Sequence, residues 1–337
     1  MPLRYAKTMT AQTFPLPFRV YSTPLPTRFR GLDVRDGVLI QGPAGWAEVS
    51  PFWDYDIPVS SAWLAAALEA AYLGYPEPRR ASVPVNVTVP ATSPDNAQAI
   101  IARRGGCNTA KIKVAEKGQS LDDDLSRIAA VREVFAGKIR IDANGGWDEE
   151  TAIRSLPLLD RAAGGLEYAE QPVPTVEGLA RVRRAVNVPI AADESIRRAE
   201  DPYEVARQNA ADLMIVKVQP LGGVRACLRL SEELGMPVVV SSALESSIGI
   251  AAGVALAASL PTLDHACGLA TVQLFEQDVT IDSLVPNDGN LPVRTVEADR
   301  IAPVPDEVRR RWGERLDLMW QYLQDHRDVS ELTGGHL

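Results

Sequence analysis

The chain has 337 residues, 46% of them hydrophobic, and a formal net charge of −9. That acidic surplus argues against nucleic-acid partners, which are bound by neutralising phosphates with lysine and arginine. No apolar stretch reaches the ~20 residues that span a bilayer, and the first residues lack the basic-then-apolar pattern of a secretion signal, so the expected location is cytoplasmic and no membrane partner is expected.

Taken in chain order, residues 13–21, residues 37–41 and the segment Gly45-Trp46-Ala47-Glu48 read as strands, and residues 62–73 read as a helix. From residue 83 a rhythm begins. Short hydrophobic runs at 83–89, 110–114, 139–141, 166–169, 188–192, 213–216 and 238–242, with an eighth near His265, alternate with amphipathic stretches. In one of these, Leu121, Leu125, Ile128, Val131 and Phe135 advance by threes and fours, which lays one apolar face on a sheet. Ser93-Pro94-Asp95 is a helix start and Gly105-Gly106 a stop. Lys113, Asp142, Glu170, Asp193 and Lys217 close five of the runs at intervals of 29, 28, 23 and 24 residues. One strand plus one helix per step is the repeat of a parallel β/α barrel, which needs roughly 250 residues.

The remainder is expected to form a cap. Its boundaries are an N-terminal α+β part at 1–81, the barrel at 82–290, and a C-terminal segment at 291–337 that packs back on the first part. The last segment carries a helix start at Pro305-Asp306 and an apolar stripe of Val308, Trp312, Leu316, Met319 and Leu323. Cys107, Cys227 and Cys267 lack the paired spacing of a disulfide framework or zinc knuckle and read as small core residues. Gly222-Gly223 is a weak phosphate signal, with no P-loop or dinucleotide fingerprint around it.

Side chains at the C-terminal ends of barrel strands converge on one mouth, so Asp142, Glu170 and Asp193 are expected neighbours. Three carboxylates together repel and shift their pKa values upward; a divalent cation removes the conflict. Three oxygen ligands, with no histidine in the stretch, suit Mg²⁺ or Mn²⁺ better than zinc. The alternative is that these acids pair with Lys111, Lys113 and Lys217 as buried salt bridges. Lys111 and Lys113 share parity on one strand, and Lys217 belongs to the opposite side of the barrel. Lysine, with a pKa of about 10.4, is a poor base at neutral pH, but burial beside a second lysine and a cation pulls it toward ~7 to 8. A base beside a metal points to proton abstraction next to a carboxylate, so a small-molecule carboxylate is the expected substrate.

Other candidates surround this set. Asn144 shares parity with Asp142; Ser241 and Ser242 close the seventh run; Arg28 and Arg30 lie in a proline-rich loop; Glu194 and Glu245 are expected as lysine partners; His265 is expected in the core.

Thr109-Ala110-Lys111-Ile112-Lys113, Ile141-Asp142-Ala143-Asn144, Glu170-Gln171-Pro172, Ala192-Asp193-Glu194-Ser195 and Val216-Lys217 resemble the catalytic motifs of the enolase superfamily, in its muconate-lactonizing-enzyme subgroup. The resemblance covers nearly the whole chain. It implies a modified TIM barrel, (β/α)7β-like, with an α+β capping domain built from the N-terminal region and the C-terminal segment, and Mg²⁺ held by Asp142, Glu170 and Asp193. Gly45-Trp46-Ala47-Glu48-Val49-Ser50-Pro51, Asp142-Ala143-Asn144-Gly145 and Ser241-Ser242-Ala243-Leu244-Glu245-Ser246-Ser247 resemble a dehydrating branch of that subgroup in menaquinone biosynthesis. That implies Lys113 as the base that takes the α-proton of a succinylated hydroxy-cyclohexadiene carboxylate and then protonates the departing hydroxyl. Lys217 would steady the anionic intermediate from the other face, and Lys111, Asn144, Ser241, Ser242 and Arg28 would contact the substrate. Two opposed lysines equally suit an N-succinylamino acid racemase or dipeptide epimerase of the same superfamily. A non-catalytic barrel that binds a small carboxylate is the reading from another class. The oligomeric state stays open, since no interface signal stands out.

Overall fold

The computed structural model describes residues 13–29, 31–198 and 201–337. The first three strands, β1 (Phe18–Phe29), β2 (Leu32–Gly42) and β3 (Gly45–Val49), form an antiparallel sheet in that order. β1 begins later than residue 13 and runs on through Pro24 and Pro26, with its register to β2 broken between Pro24 and Phe29. An edge strand tolerates proline because one side of its ladder needs no donor. Helix α1 (Ile57–Leu73) follows, its first turn capped by the Asp56 carboxylate at 3.0 Å from the Val59 amide, a bond that contributes about 1 kcal/mol.

The barrel is built from β4 (Ser82–Pro84), β5 (Val87–Val89), α2 (Pro94–Ala102), β6 (Thr109–Lys113), α3 (Leu121–Val134), β7 (Lys138–Asp142), α4 (Glu149–Ala163), β8 (Leu166–Glu170), α5 (Val176–Ala185), β9 (Ile190–Ala192), the short α6 (Glu194–Arg197) and α7 (Glu204–Arg207), β10 (Leu213–Val216), α8 (Val224–Leu234), β11 (Val238–Val240) and α9 (Ser247–Ser259). Strands β5 to β11 pair in sequence order, all parallel. The run at 83–89 is split into two strands. Pro84 has no amide hydrogen to continue the parallel ladder, and β4 pairs instead, antiparallel, with β12 (Asn290–Pro292).

The eighth strand shrinks to a bridge at Cys267 and Gly268. Cys267 donates to the Pro84 carbonyl at 2.7 Å and Gly268 to the Val240 carbonyl at 2.8 Å, which joins the two edges of the seven-stranded sheet. Glycine is required there, because a Cβ on residue 268 would stand 2.4 Å from Ser241 Oγ. A single 3-10 turn, Thr271–Leu274, follows this bridge in place of a full helix. The architecture is thus a modified (β/α)7-like barrel with capping elements from both ends of the chain.

The C-terminal helix α10 (Asp306–His326) precedes the short α11 (Val329–Thr333). Trp312, Leu316, Met319 and Leu323 are buried, as is Trp320 beside them, and each contributes roughly 1.5–3 kcal/mol by leaving water. This face packs on α1. α9 is buried on every side, which explains why it is apolar all round: it lies between the barrel and the cap strand β3. Cys107, Cys227 and Cys267 are buried free thiols. Among the described residues no helix is long and apolar enough to cross a membrane.

Candidate active site

Parallel register places the charged strand ends in one row. Lys113 on β6 sits opposite Asp142 on β7, and Asp142 opposite Glu170 on β8. Asp193 follows β9 and Lys217 follows β10 directly. All are buried except Lys113, whose side chain is 14% exposed.

Lys113 Nζ lies 2.5 Å from Asp142 Oδ2, 2.6 Å from Asn144 Oδ1, and 5.4 Å from the centroid of the Phe29 ring. Lys111 Nζ stands between two acids, 3.3 Å from Asp142 Oδ2 and 3.1 Å from Glu170 Oε2. Lys217 Nζ is 2.6 Å from Asp193 Oδ2, and Arg197 Nε donates to the other oxygen of Asp193 at 2.8 Å. Each carboxylate therefore has a cationic partner. Among the described residues no three acid, histidine or cysteine side chains are gathered around one ion-sized space. The ion pairs leave a cavity of about 40 Å³ between them.

Burial lowers the pKa of Lys113, and the neighbouring charge of Lys111 lowers it further, against the pull of Asp142; the net direction is down. For Lys111, burial also disfavours the charged form, but Glu170 and Asp142 outweigh it and the net direction is up. Burial would raise Asp142 and Asp193, yet Lys113 and Lys111 hold the first below the usual carboxylate range, and Arg197 and Lys217 the second. Glu170 behaves differently. Burial and then the charge of Asp142 push its pKa up to about 7.

Local structure explains how these groups are held. Gln171 accepts from the amides of Asp193 at 2.9 Å and Ser195 at 3.1 Å and donates to Val173 O and Ser195 Oγ, pinning the loop after β9 to the end of β8. Asn144 is both turn residue and site residue: its φ of 46° is left-handed, its amide donates to Asp142 Oδ1 at 3.0 Å, and its side chain donates to Glu194 at 3.2 Å.

Ser241 and Ser242 line the same cavity as the lysines, with Ser242 Oγ 2.6 Å from Thr271 Oγ1. They do not cap α9; Ser246 does. Arg28 is exposed, donates to the Gly31 carbonyl at 2.9 Å, and lines a side cavity of about 100 Å³ that it shares with Phe29, Lys113 and Asn144. Arg30 lies outside the described residues. Glu194 meets Lys113 through Asn144, which donates to Glu194 at 3.2 Å and accepts from Lys113 at 2.6 Å, whereas Glu245 makes no direct ion pair with lysine among the described residues. Glu194 binds Arg197 at 2.5 Å, one helical turn away, and Glu245 accepts from the Ala243 amide at 2.6 Å. His265 is half-buried at the other end of β8, 3.1 Å from Glu167. Gly222-Gly223 forms no phosphate cradle, since a Cβ on Gly223 would meet the Glu69 carboxylate at 2.8 Å.

Sequence reasoning missed Arg197, Phe29, Phe52 and Thr88, all of which line the same cavity as the lysines. The Asp193–Arg197 spacing of four on a helix was the one signal available for any of them. Two buried polar atoms, Thr88 Oγ1 beside Lys111 and Glu194 Oε2, have no hydrogen-bond partner among the described residues.

A capped barrel of this topology, with lysines at the ends of β6 and β10 and acids at the ends of the three strands between them, is the architecture of an enolase-like enzyme. Residues 94–297 match the family Enolase C-terminal domain-like, and residues 20–71 match Enolase N-terminal domain-like. The chain is 58% identical to the o-succinylbenzoate synthase of Thermobifida fusca, over 88% of this chain and 94% of that protein. It is 51% identical to the o-succinylbenzoate synthase of Mycolicibacterium smegmatis, over 88% of this chain and 93% of that protein. A dipeptide epimerase from Enterococcus faecalis, solved in complex with Mg and the dipeptide L-Leu-L-Tyr, shares the fold with a TM-score of 0.70 at 22% identity, covering 86% of this chain and 99% of that one. The chain belongs to the o-succinylbenzoate synthase family of the enolase superfamily.

Proposed function

We propose that this chain dehydrates 2-succinyl-6-hydroxy-2,4-cyclohexadiene-1-carboxylate to 2-succinylbenzoate, a lyase step of menaquinone biosynthesis. The observation that carries the mechanism is the pairing of a largely enclosed Lys113, its pKa lowered, with a second amine, Lys217, on the same cavity. Lys113 takes the proton α to the ring carboxylate, and the C–H electron pair moves onto that carboxylate as an enediolate, from which it returns to the ring as the hydroxyl departs. Lys113 then gives a proton to the departing hydroxyl; the C–O bond breaks, water leaves, and the ring becomes aromatic. Lys217 faces the other side of the ring and holds the developing negative charge. Positioned general acid–base transfer of this kind contributes about 10²–10⁴-fold.

Asp142, Glu170 and Asp193 are the residues that would hold Mg²⁺, with Mn²⁺ as the alternative. The donor set fits: three buried hard oxygens and no soft ligand among them. Burial and the charges of Asp142 and Asp193 raise Glu170 to about 7 against the pull of Lys111 and Lys217, and a dication beside it would relieve that conflict. When bound, the ion would supply charge stabilisation to the substrate carboxylate next to the carbon that loses its proton. Lys111, Asn144, Ser241 and Ser242 are the proposed substrate contacts in the cavity, and Arg28 the contact at its rim. The cap is proposed as 1–81 with 291–337, and the barrel as 82–290.

Access of both Lys113 and Lys217 to one cavity also favours a second reading, 1,1-proton transfer by an N-succinylamino acid racemase or dipeptide epimerase. One experiment separates the two. The chain with saturating Mg²⁺ is mixed with the cyclohexadiene carboxylate and followed by aromatic absorbance, beside a racemisation assay on N-succinyl amino acids. Aromatic product supports the dehydratase; racemisation without it overturns that choice. No exchange of α-protons with solvent deuterium for either substrate favours the non-catalytic barrel.

A further inference from the structure

We propose that Arg35, a cap residue on β2, is a positioning residue for the substrate pocket: its guanidinium holds the backbone of the loop that carries Ser241 and Ser242 into the cavity. The inference rests on the dehydratase reading above.

Arg35 is only 2% exposed, yet every hydrogen bond it donates goes to a backbone carbonyl. Nε donates to Leu244 at 2.8 Å, Nη2 to Ser50 and, at 3.4 Å, to Ala243, and Nη1 to Asp36 at 3.2 Å. Among the described residues no carboxylate hydrogen-bonds this guanidinium: the Phe52 ring covers it at 4.5 Å and the charges of Glu48 and Glu245 act on it from a distance, so its donors are left to hold backbone. Its targets show what it does. Leu244 has a φ of 63°, a left-handed conformation that a γ-branched residue rarely adopts, and both Leu244 and Ala243 line the catalytic cavity. The planar fork reaches two consecutive carbonyls of the loop on one side and the Ser50 carbonyl of the cap on the other, a geometry a lysine ammonium does not reproduce.

A second set of bonds fastens the other end of the loop to the cap. Glu48 on β3 accepts from the amides of Ser246 and Gly249, each at 3.1 Å, and from the Ser246 hydroxyl, while Tyr21 and Ser50 hydroxyls donate to its other oxygen at 2.8 and 2.6 Å. Gln219 closes the frame, accepting from the Ser50 amide at 3.1 Å and donating to Glu245 at 3.3 Å. The Gly45–Pro51 and Ser241–Ser247 motifs, nearly two hundred residues apart, are two halves of one joint. Within it Arg35 grips the residues that immediately follow the two serines.

The test compares Arg35→Lys and Arg35→Gln with the native chain by steady-state dehydration at saturating Mg²⁺, with thermal melting as the control for folding. Both variants are expected to raise KM about tenfold with kcat within about threefold, because the lost organisation lowers ground-state and transition-state binding alike. In a Ser241→Ala/Ser242→Ala background, adding Arg35→Lys is expected to raise KM no further, since the groups it positions are gone. A KM for folded Arg35→Lys that matches the native chain overturns the proposal, as does full additivity with the serine substitutions. If the native chain itself makes no aromatic product, the dehydratase reading fails instead, which is a separate result.

Discussion

The environment of Lys113, the proposed base, sets the direction of its pH dependence. Because burial and Lys111 lower its pKa, the neutral base becomes available at a lower pH than for an ordinary lysine, whose value is about 10.4. The ascending limb of a kcat/KM profile is expected below that value, and Lys113→Ala is expected to lower kcat by about 10²–10⁴-fold, measured by aromatic absorbance. Glu245 gives a stability counterpart. Its carboxyl is held up to about 7, chiefly by burial and the charge of Glu48, against an unfolded value of about 4.3. The folded state thus binds the proton more tightly, and the stability this confers is full below about pH 4.3 and lost as pH rises through about 7. Glu245→Gln, neutral at every pH, should melt progressively higher than the native chain between pH 5 and pH 8; a constant difference across that range would contradict the assignment.

At the scale of elements, the ends of β8 and β9 behave as one unit because Gln171 spans them. Gln171→Ala leaves the amides of Asp193 and Ser195 without their partner, and a loss of about 1–3 kcal/mol in denaturant-derived stability is expected, together with weaker Mg²⁺ binding by calorimetry. What the sequence made legible at this scale was periodic: the seven parallel strands, the helix starts, and the charges that close five hydrophobic runs. Less legible were elements decided by a single steric fact. The eighth strand is reduced to bridges at Cys267 and Gly268, where Gly268 lies close against Ser241, and the run at 83–89 divides at Pro84, which lacks a donor. Phe29 and Phe52 reach the site from the cap through tertiary contact alone, so no spacing rule marks them.

For the whole molecule, the cap and barrel act together. α1 packs on α10 and on β3, α9 packs on β3 from the barrel side, and Arg35, Glu48 and Gln219 form a polar joint directly behind the pocket. The intervals of 23 to 29 residues make the barrel readable from the chain, whereas this joint is not, because its partners are brought together only by the closed fold. The same wholeness applies to the charge of the mouth: three acids, two lysines on β6 and one after β10 are balanced pair by pair, with Glu170 left titrating near neutrality. Activity is expected to vanish after exhaustive chelation and to return with Mg²⁺ or Mn²⁺; turnover unchanged by the chelator would exclude a metal role.

The most direct measurement is a crystal structure with Mg²⁺ and 2-succinylbenzoate. The account predicts one ion bound by Asp142, Glu170 and Asp193, with the amines of Lys113 and Lys217 on opposite faces of the aromatic ring. An ion bound away from those acids, or either amine turned from the ring, would contradict it.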